Sequence, residues 1–252
     1  MPTDTKPFFR DQKAVNRPAW LEGFAGLDWV ALRASPVFYG LGVPKGDRSA
    51  VIVIPGFLGT DLYLREIHYW LGRIRYKSYL SGIGRNADCL DVLTERLLGT
   101  VVQANKQTGR KVHLIGHSLG GILARSAAAH RPDLVRSVIT LGSPFRGIRS
   151  HPTVLRAASA VRDRIARERK RPNRPECYTG FCECGAVGSL AKPFPDSIAQ
   201  TAIFTKQDGI VDWRFCINDD PSTDYEVAGT HVGLVFNAYV YKLIASRLSA
   251  VR

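Results

Sequence analysis

A chain of 252 residues that is 45% hydrophobic and 23% charged has enough apolar material for one large domain with a buried core, and it lies far from disordered or collagen-like compositions. It has no run approaching the roughly 20 apolar residues that cross a bilayer, and its first residues, with Lys6, Arg10, Asp11, Lys13 and Arg17, form no apolar signal core, so a cytoplasmic protein is expected. The net charge of +13 favours acidic partners, but ten basic and only two acidic residues between Phe145 and Pro175 make much of it local; without an RNP-like strand, zinc-finger spacing or recognition-helix pair, nucleic acid is not an expected partner.

The first 48 residues read as a leading arm whose Trp20, Phe24, Trp29, Phe38 and Tyr39 pack across the core. Ser49 to Ile54 is an apolar, β-branched run ending at Pro55-Gly56, as a strand buried on both faces would end. From Asp61, taken as an N-cap, Tyr63, Ile67, Trp70, Leu71 and Ile74 fall at helical spacing. Lys77 to Ser81 reads as a short strand. Leu90, Leu93, Leu97, Val101 and Val102 stripe a second helix that stops before Gly109. Val112 to Ile115 then leads as a strand into a glycine-rich turn at 116–121 and a helix from Leu119 to His130, closed by Pro132.

Val135 to Leu141 and Ser197 to Thr205 are further strands, and Phe236, Val240, Tyr241, Ile244 and Leu248 stripe a last helix. Strands alternating with helices imply an α/β fold, a mainly parallel sheet with helices on both faces, in a single domain over 1–252. Residues 144–195 break the alternation with a basic segment and then a Cys-, Gly- and Pro-rich one. That insertion is too long for a plain connection and reads as a cap or lid. The odd count of five cysteines, Cys89, Cys177, Cys182, Cys184 and Cys216, argues against a complete disulfide framework. Buried or loop thiols are the first reading; a disulfide, or a metal site made by Cys177, Cys182, Cys184 and Cys216, stays open.

The sharpest chemical signal is Gly116-His-Ser-Leu-Gly-Gly121, a G-x-S-x-G turn between a strand and a helix. A nucleophile on such a strained turn projects at the carboxyl edge of the sheet, and flanking glycines let backbone and helix approach. The plainer reading is a glycine-rich turn with an incidental serine. If Ser118 is the nucleophile, it needs a base to take its proton. Of the six histidines, only His231 lies in a loop just before the last helix, where a ring can reach back over the sheet edge. The acid that orients it is expected between the two, after a strand; Asp208 is preferred there to Asp212, which lies four residues on. For the oxyanion, the expected donors are the backbone amides of Leu119, next to the nucleophile, and of Phe57 in Pro55-Gly-Phe-Leu-Gly59. Read more plainly, that second stretch is a Pro-Gly turn with apolar packing residues.

Taken with Thr205-Lys-Gln-Asp-Gly-Ile-Val211 and Gly229-Thr-His-Val-Gly-Leu234, these motifs resemble the bacterial lipase and esterase branch of the α/β-hydrolase superfamily over roughly residues 49–250. The resemblance implies an α/β-hydrolase fold and cleavage of carboxylic esters through an acyl-enzyme on Ser118, with no metal or organic cofactor. It leaves an acyltransferase or a thioesterase on the same Ser-His-Asp site, or a binding module without turnover, as rivals. Within the insertion, Val154, Ala158, Val161 and Ile165 share one helical face, while Arg156, Arg162, Arg164, Arg167 and Arg169 crowd the others. Such a basic amphipathic helix suits peripheral contact with anionic membrane through segment 146–174, a guard over an acyl pocket, or a solvated cap.

Overall fold

The computed structural model describes residues 18–147, 150–168, 184–190 and 192–251. Six strands form one sheet: β1 (Ala50–Ile54), β2 (Lys77–Leu80), β3 (Val112–His117), β4 (Val135–Leu141), β5 (Ala199–Phe204) and β6 (Asp224–Glu226). Their order is β2-β1-β3-β4-β5-β6, with every neighbouring pair parallel. Parallel neighbours cannot be joined by a tight turn, so each connection crosses a face of the sheet. The connections and ends carry α1 (Ala25–Ala34), α2 (Arg65–Arg73), α3 (Leu90–Thr108), α4 (Leu119–His130), α5 (Pro152–Glu168), α6 (Gly185–Leu190) and α7 (Ala238–Ala250).

The period of two in a strand explains why β1 is apolar throughout. Ala50, Ile52 and Ile54 point into a core shared with Leu93 and Leu97 of α3 and Leu123 of α4. Val51 and Val53 point the other way, into a core with Ile67, Trp70 and Leu71 of α2 and Tyr241 and Ile244 of α7. The chain leaves β1 toward the β2 edge, then returns to β3 and builds outward in the opposite direction. That reversal opens a crevice outside the carboxyl ends of β1 and β3, where sheets of this kind bind ligands.

Several expectations change in the folded chain. The aromatic arm does not pack across the core: Trp20, Phe24 and Tyr39 are 68%, 48% and 60% exposed, Trp29 is also exposed, and only Phe38 of the five is buried. Aromatic density gives no direction, and the exposed side chains lie on the outward side of two short 3-10 turns (Ala19–Phe24 and Pro36–Tyr39) and of α1. Asp61 caps no helix. Its carboxylate instead accepts the Ser81 and Gly82 amides, each at 3.1 Å, across the loop after β2. The insertion is not all cap: α6 buries Ala186 and Val187 in the core shared with α3 and α4, and Asp91 Oδ1 accepts its Ala186 amide at 2.7 Å. Arg169, Cys177 and Cys182 and the side chains of Arg162 and Ile165 lie outside the described residues.

Two buried histidines link this fold to pH. His113 in β3 makes a 2.7 Å hydrogen bond between Nδ1 and Ser137 Oγ, and burial holds its pKa down at about 4. Burial, helped by the charge of His231, holds His117 at about 3. As pH falls below 6.5 the unfolded chain takes up protons that these folded rings refuse, so stability falls. A ring with a raised folded pKa does the opposite, losing its stabilisation as pH rises. For His113 the acid loss approaches about 3 kcal/mol by pH 4. His113→Gln is expected to flatten the decline of melting temperature between pH 6.5 and pH 4; equal slopes in both proteins would show that His113 carries none of it.

Candidate active site

Ser118 joins β3 to α4 with φ 51° and ψ −125°, a backbone region that L-residues rarely enter. Neighbours over-determine the turn. The Ser118 amide donates to Leu141 O of β4 at 2.8 Å, and the Gly121 amide donates to Ser118 O at 3.0 Å. Gly120 must be glycine because a Cβ there would lie 2.3 Å from Ile54 O at the end of β1. The spacing of the motif therefore reflects the closeness with which the first turn of α4 abuts the β1 carbonyls.

His231 lies in the loop before α7, and its Nδ1 is 2.6 Å from Asp208 Oδ2, with both residues only 3% exposed. Asp208 Oδ1 accepts the Ile210 and Val211 amides, each at 2.8 Å, which turns Oδ2 toward the ring. Asp212 faces elsewhere, pairing with Arg214 at 2.7 Å. An ionised carboxylate only accepts, so Nδ1 bears the hydrogen and Nε2 keeps the lone pair of a base. Burial, the largest influence, disfavours the imidazolium, but the charge and hydrogen bond of Asp208, with a contribution from Glu22, outweigh it and raise the pKa.

His117 is a member that sequence reasoning passed over as part of the turn. Its Nε2 lies 3.0 Å from the His231 carbonyl and its Nδ1 3.1 Å from the Tyr63 hydroxyl. With a pKa of about 3 the ring is neutral, and since a carbonyl can only accept, Nε2–H donates to His231 O. Nδ1 then accepts from Tyr63, whose own pKa burial pushes up, keeping the phenol protonated. The chain Tyr63, His117, His231 carbonyl tethers the backbone that carries the His231 ring.

The loop after β1 is braced by Asn86, a second residue missed for lack of any local signal. Asn86 is fully buried; Leu58 N donates to its carbonyl at 2.8 Å, its amide donates to Gly59 O at 2.8 Å, and its Nδ2 donates to Pro55 O at 2.7 Å. The loop thereby leans over the turn so closely that a Cβ on Gly56 would meet Ser118 Cβ at 3.1 Å.

Ser118, His231, Phe57 and Leu119 all line one cavity of about 460 Å³. Ile122 and Val211 contribute apolar walls, and Val154, Leu155 and Ala158 bring α5 against it. As the first residue of α4, Leu119 has an amide with no acceptor inside its own helix. No group of three or more His, Cys, Asp or Glu able to hold a metal exists among the described residues. Of the five cysteines, Cys89 and Cys216 are free thiols, and Cys216 is buried beside Phe204 and Val211.

Residues 80–167 match the PGAP1-like alpha/beta domain family. A triacylglycerol lipase of Burkholderia plantarii is 36% identical over 154 residues, covering 55% of this chain and 42% of that protein. A triacylglycerol lipase of Pseudarthrobacter phenanthrenivorans is 40% identical over 110 residues, covering 40% of this chain and 34% of that protein. The chain thus spans less than half the length of these relatives. Among solved structures, a Bacillus licheniformis lipase in its mature form superposes with TM-score 0.55 at 15% identity, over 82% of this chain and 94% of that one. A Bacillus subtilis carboxylesterase does so with TM-score 0.53 at 11% identity, over 90% and 99%. At such identities the structural likeness is one of fold.

Removing the Asn86 side chain leaves the buried Pro55 carbonyl without its donor. Asn86→Ala is expected to cost about 1–3 kcal/mol of stability, read from the denaturant midpoint; a change below about 0.5 kcal/mol would mean that the brace contributes nothing beyond an ordinary surface position.

Proposed function

We propose that this chain, which has the α/β-hydrolase fold and sequence kinship with the lipase and esterase branch, is a serine hydrolase of carboxylic esters. The observation that carries the reading is His231, held 2.6 Å from buried Asp208 and lining one apolar cavity together with Ser118. In the proposed reaction Ser118 Oγ attacks the ester carbonyl as His231 Nε2 takes its proton, and Asp208 stabilises the resulting imidazolium. The Phe57 and Leu119 amides hold the developing oxyanion. Collapse breaks the ester C–O bond, the imidazolium protonates the departing alcohol, and an activated water then releases the acid. Ile122, Val154, Leu155 and Val211 favour a hydrocarbon acyl chain over a charged or sugar-like group in the cavity.

We also propose that α5 is a cap over this cavity and meets anionic lipid through segment 146–174. Its Val154, Leu155 and Ala158 line the cavity while Arg156 and Arg167 are exposed. Such a helix suits an apolar pocket on one side and an anionic surface on the other. Binding to anionic vesicles is expected to weaken steeply as salt rises; binding indifferent to salt would remove the lipid contact.

Ser118→Ala is expected to abolish hydrolysis of nitrophenyl esters and labelling by a fluorophosphonate; retained turnover would remove Ser118 from the mechanism. Asp208→Asn is expected to lower kcat about 10³–10⁴-fold. Because the Asp208 charge raises the His231 pKa, its loss moves the acidic limb of kcat/KM to lower pH. Product analysis with alcohol acceptors separates hydrolysis from acyl transfer, and matched thioester and oxyester substrates separate it from a thioesterase.

A further inference from the structure

We infer that Glu22, in the 3-10 turn before α1, is a positioning residue that holds the acid loop and the base loop together, an inference that rests on the hydrolase reading above. Glu22 Oε1 accepts the amides of Gly209, directly after Asp208, at 3.3 Å, and of His231 itself at 3.2 Å. Its Oε2 accepts the Val232 amide at 2.8 Å. One carboxylate thus joins the two loops whose side chains form the Asp208–His231 hydrogen bond, from a segment 187 to 210 positions upstream in the chain.

The surrounding contacts make this more than a chance surface bond. Asp28 of α1 sits directly against the base loop: a Cβ on Gly233 would lie 2.3 Å from its Oδ2. Two loops that carry reacting groups but belong to no regular element need their amides satisfied and their spacing set from outside. A carboxylate does both through charge-assisted bonds, which are about twice as strong as neutral ones.

Its negative charge also acts on the ring. The charged and titratable groups facing His231 are Asp208 from the loop after β5, His117 from the end of β3 and Glu22 from the N-terminal turn, with Asp28 behind Gly233. His117 is neutral above a pH of about 3. The imidazolium that forms during attack is therefore stabilised by Asp208 first and by Glu22 after it. Glu22 touches neither substrate nor the reacting atoms in this scheme; it works through the backbone and the field.

The test compares the wild-type chain with Glu22→Gln, Glu22→Asp and Glu22→Ala for fluorophosphonate labelling, kcat and KM on a nitrophenyl ester, the pH profile of kcat/KM, and melting temperature. Glu22→Gln keeps the shape but loses the charge and one acceptor. It is expected to lower kcat about tenfold or more with KM within about twofold, and to move the acidic limb to lower pH; Glu22→Asp is expected to restore the limb. An active wild type whose Glu22→Gln variant matches it in kcat and pH profile overturns this inference alone. So does a rate loss in Glu22→Gln that merely tracks unfolding with an unmoved limb. A wild type that is neither labelled nor active overturns the hydrolase reading and this inference with it. If Glu22→Ala does not fold, the Glu22→Gln profile decides.

Discussion

The strained turn at Ser118 sets the positions of everything around it. A backbone held at φ 51° at the end of a strand inside the sheet persists only where neighbours leave no alternative. Here the β4 carbonyl, the α4 amides and the end of β1 supply that constraint. Because β3 lies beside β1 at the reversal of the sheet, the loop after β1 falls directly over the turn, and Asn86 keeps it there. The crevice is thus a consequence of strand order, and the serine occupies its floor.

Electrostatics inside the crevice follow one arrangement. Burying an ion pair costs desolvation that only good geometry and further hydrogen bonds repay. Asp208 meets that requirement with two loop amides in addition to the ring. His117, whose ring centroid lies 4.7 Å from that of His231, is held neutral, so no second positive charge opposes an imidazolium. Tyr63, also kept protonated by burial, completes the chain from below. The result is one ring with a raised pKa and one with a depressed pKa in contact, a separation of roles that burial alone would not produce, since burial lowers both.

Other parts of the chain were legible to different degrees. The five longer strands stand out as short apolar or β-branched runs bounded by turn residues, α2, α3 and α7 because their apolar residues recur at a period of 3.6, and α4 because it follows the glycine-rich turn and ends before Pro132. The strand β6 did not, since Asp224-Tyr-Glu226 is too short and too polar to register a period. Trp20, Phe24, Trp29 and Tyr39 misled for the opposite reason: large apolar side chains usually signal a core, and here they remain in solvent.

From its own residues the sequence determined the parallel α/β alternation and the strand-turn-helix at 116–121, because strand burial and turn strain impose requirements only a few positions apart. It also placed Asp208 and His231 in the loops where a carboxylate and a ring meet. Only the tertiary structure decided that Asp208 and not Asp212 reaches the ring, that Asn86 braces the loop after β1, and that Glu22 joins two loops some two hundred positions away. Each of these depends on one side chain meeting backbone groups brought near by sheet order, and a contact of that kind leaves no periodicity or spacing in the chain that makes it.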